Sequence, residues 1–297
     1  MSNTTDLTAR NYTRQQSIIV NARYALTRAE IDIVLVLLTA IHKEDKDFKE
    51  YEFTMSELES KTGRKWNSKQ LKDTIKSLMS KPLELPKEEK AWTIVNWFSH
   101  FSYEPNGIIS CSFDKRLKPY LIDLKGRMIL GDVRHLLPMK SSYSKRMYLL
   151  LNEYKKLGVR KFQTEELMNI LKVPKSLKGY GQFKQKVLDR AMSDINKYTD
   201  IKISFDEKKI HRKVRELTFH IKKNDEDLKT FIEHIRGNYT NVLLWTTPNK
   251  IEIQCDDNGL LYNKQNNKTF DKETALKLWE ELHKNREIIF KSQVSLF

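Results

Sequence analysis

Glycine and proline are scarce in this chain, nine and seven among 297 residues. Collagen-like and loop-dominated architectures are thereby excluded, and helices and strands joined by short connections are favoured. Cysteine is scarcer still: Cys111 and Cys255 lie far apart and form no Cys-x-x-Cys pair. Neither a disulfide framework nor a zinc site is indicated, and a reducing, cytoplasmic setting is expected. The apolar run Ile33–Leu38 falls far short of a membrane span and has Asp32 at its edge. The opening MSNTTDLTAR is polar, so neither a secretory leader nor a membrane partner is expected.

Catalytic signatures are missing too. The nearest approach to a phosphate-cradling Gly-rich loop is the Gly126 to Gly131 spacing, and Asp132 stands where its lysine would be. None of the seven histidines forms the His-x-His pair that a metal-dependent nicking enzyme with a tyrosine nucleophile needs, and Tyr154, followed by two lysines, reads as a helix-face residue. His211 and His220 have no carboxylate cluster at ligand spacing. No catalytic residue, metal or cofactor is expected, and the chain reads as a non-enzyme.

Positive charge is what the chain has in excess. Fifty-four Lys and Arg against 39 Asp and Glu leave +15, with a pI near 9.5. A compositional bias would spread this evenly. Instead residues 1–139 carry a net +4, residues 140–223 carry +13, and residues 224–297 carry −2. Such a concentration is the footprint of a polyanion binder. The hydrophobic share, 39%, is enough for real cores, and the length suits two or three modules.

The element pattern points to a repeated unit. Thr27-Arg28-Ala29-Glu30 is a capping box opening an apolar helix with Ile31, Val34, Leu35, Leu38 and Ile41. A strand around Tyr51–Phe53 follows. A second box, Ser56-Glu57-Leu58-Glu59, starts a helix ending at Gly63, and a third helix runs Ser68–Ser80 before Pro82. Strand-like runs Trp92–Phe101 and Ile108–Phe113 flank a Pro105-Asn106-Gly107 turn.

The order then recurs. A helix Ser144–Leu157 closes at Gly158, Phe162 marks a strand, and Thr164 caps a helix. The loop Lys175–Gly181 leads into a long helix through Tyr198. A strand with Ile201, Ile203 and Phe205, a charged tip Asp206–Arg212, and a return strand with Leu217, Phe219 and Ile221 complete the copy.

Helix, strand, helix, helix, hairpin is the order of a winged helix. The fold class is therefore α+β: tandem winged-helix domains with β-hairpin wings, plus a small α+β C-terminal extension. The expected division is a flexible arm over 1–14, winged helices over 15–139 and 140–223, an accessory domain over 224–290 and a tail over 291–297. In the accessory domain Phe231–Ile235 reads as a short helix. Ile251–Gln254 and Leu260–Tyr262 form a hairpin around Asp257-Asn258-Gly259, and Asp271–Lys284 reads as a helix with Leu276, Trp279 and Leu282 inward.

On the long helix, Phe183, Val187, Leu188, Ala191, Ile195 and Tyr198 share one face. Gln182, Lys186, Asp189, Arg190, Ser193 and Lys197 share the other, with Gln185 at its margin. One face anchors in a core while the other offers long donors to the major groove of double-stranded DNA, Gln suiting adenine and Arg or Lys suiting guanine or phosphate. The glycines flanking Tyr180 leave room for a phosphate near the helix start, where Lys178 and Lys184 add charge. The tip residues Lys208, Lys209, His211, Arg212 and Lys213 are placed to follow the flanking backbone or minor groove. The corresponding residues of the first copy are Lys65, Asn67, Lys69, Gln70, Lys72 and Lys76. They serve either a second stretch of DNA or pairing with another chain, and Trp66 fits core and interface alike.

Three stretches carry a family resemblance: Leu26-Thr27-x-x-Glu30; Tyr143-Ser144-x-Arg146-x-Tyr148-x-Leu150-Leu151; and Phe183-Lys184-x-x-Val187-Leu188-x-x-Ala191 followed by Ile195-Asn196-x-x-Thr199-Asp200. Over about residues 15–223 the chain resembles the replication initiator (Rep) proteins of iteron-containing, theta-replicating plasmids. The resemblance implies two winged helices and monomers that bind origin iterons and help open the duplex. It also implies homodimers, in equilibrium with monomers and paired through the first domain, that bind an operator inverted repeat and repress their own gene. The host initiator and replicative helicase are the implied partners.

A winged-helix transcriptional repressor would share the basic segment, whereas a rolling-circle nicking initiator needs the absent histidine pair. The end of the chain, Gln293-Val294-Ser295-Leu296-Phe297, resembles the peptide by which bacterial replication proteins dock on the sliding clamp. There Leu296 and Phe297 would enter an apolar cleft, with Gln293 bonding at its rim. A tail packed on its own domain is the alternative.

Overall fold

The computed structural model describes residues 12–86, 91–124, 128–224, 231–233, 235–237, 239–247 and 249–285. The chain divides into two compact units, residues 1–223 and 224–297. In chain order the first unit begins with β1 (Tyr12–Gln16), α1 (Ser17–Val20), α2 (Arg28–Thr39), β2 (Tyr51–Thr54), α3 (Met55–Thr62) and α4 (Ser68–Met79). Then come β3 (Leu83–Leu85), β4 (Thr93–Val95), β5 (Phe98–Tyr103), β6 (Ile108–Phe113), α5 (Lys118–Leu121), β7 (Met128–Asp132) and α6 (Val133–Leu136). It closes with α7 (Ser142–Asn152), β8 (Val159–Gln163), α8 (Thr164–Ile170), α9 (Tyr180–Phe183), α10 (Asp189–Tyr198), β9 (Ile201–Ile210) and β10 (Lys213–Lys223).

Two helices without a solvent face organise this unit. In α2 every residue from Glu30 to Thr39 is buried, and in α7 every residue from Ser144 to Leu151. A helix buried all round must be enclosed by protein. α2 opens a winged helix whose sheet has the order β2-β6-β5, and α7 opens a second with the order β8-β10-β9, all pairs antiparallel. First strand, third, second: both copies have the same topology. Their apolar side chains merge into one continuous core.

Several expected boundaries move. Residues 12–14 lie in the expected arm, yet they belong to β1, which pairs with β7 from Tyr12↔Asp132 to Gln16↔Met128. This ribbon lies against α7 so closely that a Cβ on Gly131 would meet Thr13 Oγ1 at 2.7 Å and Leu149 Cδ2 at 2.9 Å. The run expected as one strand over 92–101 is split: β4 pairs with β3, and β5 with β6. The wing strands reach further than expected, leaving only His211 and Arg212 as the tip. Thr164 does not cap α8; Gln163 holds the N-cap position and the Thr164 hydroxyl is buried.

The Thr27–Glu30 box is present, with the Thr27 N–H donating to Glu30 Oε2 at 2.7 Å. The second box is displaced. Thr54, not Ser56, caps α3: its N–H donates to Glu57 Oε2 at 2.6 Å and its hydroxyl oxygen accepts from the Glu57 N–H at 3.2 Å. β2 runs through Thr54, so the strand's end sets the helix start.

The second unit contains β11 (Leu243–Thr246), β12 (Glu252–Cys255), β13 (Leu261–Asn263), β14 (Lys268–Thr269) and α11 (Lys272–Lys284). Residues 231–233 and 235–237 are helical, as expected for this stretch. The strands form an antiparallel meander in chain order, and the β12–β13 hairpin turns at Gly259, whose φ is +76°. The unit has its own core, with Trp279 and Leu282 inside it. Leu276, expected inward, is 53% exposed.

The cap assignment has a direct test. Thr54→Ala should lower stability by about 1 kcal/mol in denaturant unfolding of the full chain, while Ser56→Ala should change it by less than about 0.5 kcal/mol. Equal effects at both positions would refute it.

Candidate nucleic-acid interface

In the second winged helix the backbone is helical from Tyr180 to Tyr198. α9 runs into a π-helical turn, Lys184–Leu188, and then into α10. Such turns recur inside helices at functional sites. Phe183, Val187, Leu188, Ala191 and Ile195 are buried as expected, and Tyr198 is half-buried. Gln182, Gln185, Lys186, Arg190, Ser193 and Lys197 are exposed on the opposite side, Asp189 is half-buried, and Lys178 is exposed just before the helix.

Two candidate residues turn toward the wing. Lys184 Nζ donates to Glu207 Oε1 at 2.6 Å, and that bond holds the Glu207 carboxyl below its ordinary range. Burial, with Glu207 beside it, pushes the Tyr180 hydroxyl up. These residues brace the start of the helix against β9. Arg190 Nε donates to Asp194 Oδ2 at 3.2 Å while nearly half of its side chain stays in solvent. No ion pair holds Lys186 among the described residues.

The helix exit explains one of the sequence stretches. Thr199 Oγ1 donates back to the Ile195 carbonyl at 2.9 Å, and Asn196 brackets Ile203, accepting its N–H at 2.6 Å and donating to its carbonyl at 3.0 Å. Asp200 accepts from the Tyr148 hydroxyl at 3.0 Å and pairs with Lys155. Burial alone would raise its pKa, but His135 and Lys155 outweigh burial and hold it below the usual value. Helix end, strand start and α7 are thereby tied together.

The wing places Lys208, Lys209, His211, Arg212 and Lys213 in solvent, with Ile210 46% exposed among them. His211 and Arg212 both have positive φ, 48° and 65°. This is the two-residue hairpin turn that asparagine and glycine favour, made here from two side chains that occupy it at a cost.

The first winged helix offers a sparser face. Lys69, Lys72 and Lys76 are exposed along α4, beside a cleft of about 670 Å³ that they share with Ile75, Phe101 and Tyr103. Asn67 and Gln70, named as candidate contacts, form the α4 capping box, Asn67 Oδ1 accepting the Gln70 N–H at 2.8 Å. Lys65 pairs with Glu59 at 2.9 Å, and Trp66 is core, 9% exposed. The candidate clamp-binding residues Gln293, Leu296 and Phe297 lie outside the described residues. Among the described residues no group of three metal-ligating side chains converges, and no helix is long and apolar enough to cross a membrane.

Sequence reasoning missed a set of buried polar groups on α7. Ser144, Lys145 and Arg146 are 0%, 0% and 4% exposed, and Asp32 on α2 is 1% exposed. The available signal was charge inside apolar helices: Lys145 and Arg146 directly before Met147–Leu151, and Asp32 between Ile31 and Ile33.

The wing turn carries a prediction. His211→Asn combined with Arg212→Gly should relieve the left-handed strain by about 1 kcal/mol and slow amide exchange at Ile210 and Lys213, the pair that closes the turn, about fivefold. Faster exchange at these positions would show that the turn is unstrained.

Two family models agree with this architecture. Residues 12–152 match the family model described as "Initiator Replication protein, WH1", and residues 163–221 match "Initiator Rep protein, WH2". The first match runs through α7, the helix shared by both cores. Among solved structures, selenomethionine crystals of domains 2 and 3 of RctB align with 11% identity and a TM-score of 0.37, covering 71% of this chain and 91% of that one. A second RctB domain 2–3 structure aligns with 12% identity and a TM-score of 0.30, covering 73% and 93%. With tandem winged helices in place and both domain models matched in order, the chain belongs to the initiator replication (Rep) protein family.

Proposed function

We propose that this chain starts plasmid replication by binding repeated double-stranded DNA, the iterons of an origin, through both winged helices, with the helix over 180–198 reading the bases. One observation carries the reading. Gln182, Gln185, Lys186, Arg190 and Lys197 stand in solvent on a single helix face, and the basic wing tip belongs to the hairpin whose Glu207 accepts from Lys184 of that helix. Long donors on a helix braced from behind suit the major groove, and the lysines of the wing suit phosphates. The α4 lysines supply a second, weaker contact. In the same reading, homodimers bind an operator inverted repeat and repress the gene, monomers open the origin with the host initiator and replicative helicase, and the Gln293–Phe297 peptide docks on the sliding clamp.

The test is binding to duplex DNA from the origin next to the gene. Lys186→Ala and Arg190→Ala should each weaken binding to an origin repeat by about 10-fold or more, and the log–log salt slope should be near −0.9 per phosphate contacted. Lys264→Ala, in the second unit, should leave it unchanged. Unaltered affinity in both helix variants would sink the assignment. For the clamp, removing residues 293–297 should abolish retention on immobilised clamp, and equal retention would remove that step from the scheme.

A further inference from the structure

The polar groups buried on the first turns of α7 touch three different parts of the molecule. Lys145 Nζ donates to Asp32 Oδ1 on α2 at 2.6 Å and to the Leu136 carbonyl at 2.7 Å. Arg146 donates through Nη1 to the Tyr24 carbonyl at 2.8 Å, and through Nη2 to the Ala22 carbonyl at 2.7 Å and the Ile170 carbonyl, at the end of α8, at 3.3 Å. Its guanidinium carbon sits 3.6 Å from the centre of the Tyr24 ring. Ser144 Oγ donates to Asp194 Oδ2 at 2.8 Å, the same oxygen that receives Arg190. Successive residues on a helix point about 100° apart. Three neighbours on one turn therefore reach the first winged helix, the segment over 20–24 and the DNA-facing helix together.

The far end of α7 is latched as well. Arg160 donates to Asn21 Oδ1 at 2.6 Å and to Glu153 Oε2 at 3.0 Å, and Ser17 Oγ donates to Glu153 Oε1 at 2.5 Å.

Apolar contact between the two winged helices would be non-directional and open to sliding. Hydrogen bonds to fixed carbonyls and a carboxylate define one orientation. We propose that Ser144, Lys145 and Arg146 act as positioning residues that lock the angle between the two winged helices, and so fix the base-pair spacing at which α4 and the 180–198 helix can engage one duplex. The spacing part rests on the DNA-binding reading; the angle does not.

Burial pushes Asp32 up and Lys145 down, toward their neutral forms, so desolvation outweighs their attraction. A pair of this kind tolerates joint replacement by apolar residues of similar size, whereas removing one partner strands a buried charge. The informative variant is therefore Asp32→Leu with Lys145→Met, in the full chain.

Two readouts separate angle from binding. With nitroxide labels at Asp73→Cys and Lys202→Cys, Cys111 and Cys255 being buried, the parent chain should give one narrow inter-label distance. The double variant, with an unchanged circular dichroism spectrum, should give a broadened one. On duplex oligonucleotides carrying one footprinted origin repeat, inserting two base pairs between the two protected segments should weaken parent binding at least 30-fold and the variant at most about threefold. A narrow, parental distance in the variant overturns the lock, and so does a parental spacing penalty. Should the double variant fail to fold, Ser144→Ala, which removes one hydroxyl, decides by the same distance measurement: broadening supports the lock and a parental distance overturns it. If the parent chain gives no footprint, the DNA reading fails while the label distances still decide the lock.

Discussion

Lys145 and Asp32 meet at 2.6 Å with neither side chain open to water, and much of the first unit is arranged around that contact. Two charges withdrawn from solvent return little net stability, because the loss of hydration offsets their attraction. What the pair supplies is direction. It seats α7 against α2 in one register, and the apolar surfaces around both helices then close into a single core. Arg146 and Ser144 extend the same seat to the segment over 20–24 and to α10. The helix over 180–198 of the second winged helix is thus coupled to the first through one helical turn.

This arrangement changes what the charge of the middle segment means. Its net of +13 includes Lys145, whose partner Asp32 lies in the first segment, and Lys172, which pairs with Glu84 there. Arg146 and Arg160 are buried, and Lys184 and Arg215 are held by Glu207 and Glu165. The cations left in open solvent are fewer than the arithmetic suggests: Lys186, Arg190 and Lys197 stand on the 180–198 helix and Lys208, Lys209, Arg212 and Lys213 at the wing tip, while Lys140, Lys156, Lys161, Lys175 and Lys222 are exposed elsewhere on the unit.

Much of the fold was legible because it depends on neighbours along the chain. The helices over 28–39, 68–79 and 180–198 follow from apolar spacing, and Gly63 caps α3 with positive φ, whereas α7 stops at Asn152 rather than Leu157 and Gly158, φ +73°, closes the turn that follows instead of the helix. Where patterns competed, the sequence did not choose. Thr54-x-x-Glu57 and Ser56-x-x-Glu59 fit the same capping template, and the pairing of β2 with β6 selected the first. Tyr12–Arg14 looked like the end of a loose arm because the partner strand, β7, lies more than a hundred residues away. That Asn67 and Gln70 also cap α4 was not read from the sequence, because a cap and a DNA-binding side chain draw on the same polar residues.

The sequence by itself determined the repeated winged-helix order, the place of the excess charge and which face of the long helix is polar. Each of these is set by residues within a turn or two of one another. The tertiary structure decided which charges face solvent and which lie inside, and how the two winged helices are joined. Lys145 and Asp32 are 113 positions apart, and Arg146 and Ala22 are 124 apart. No periodicity in the chain records contacts at that range; only the packed core brings them together.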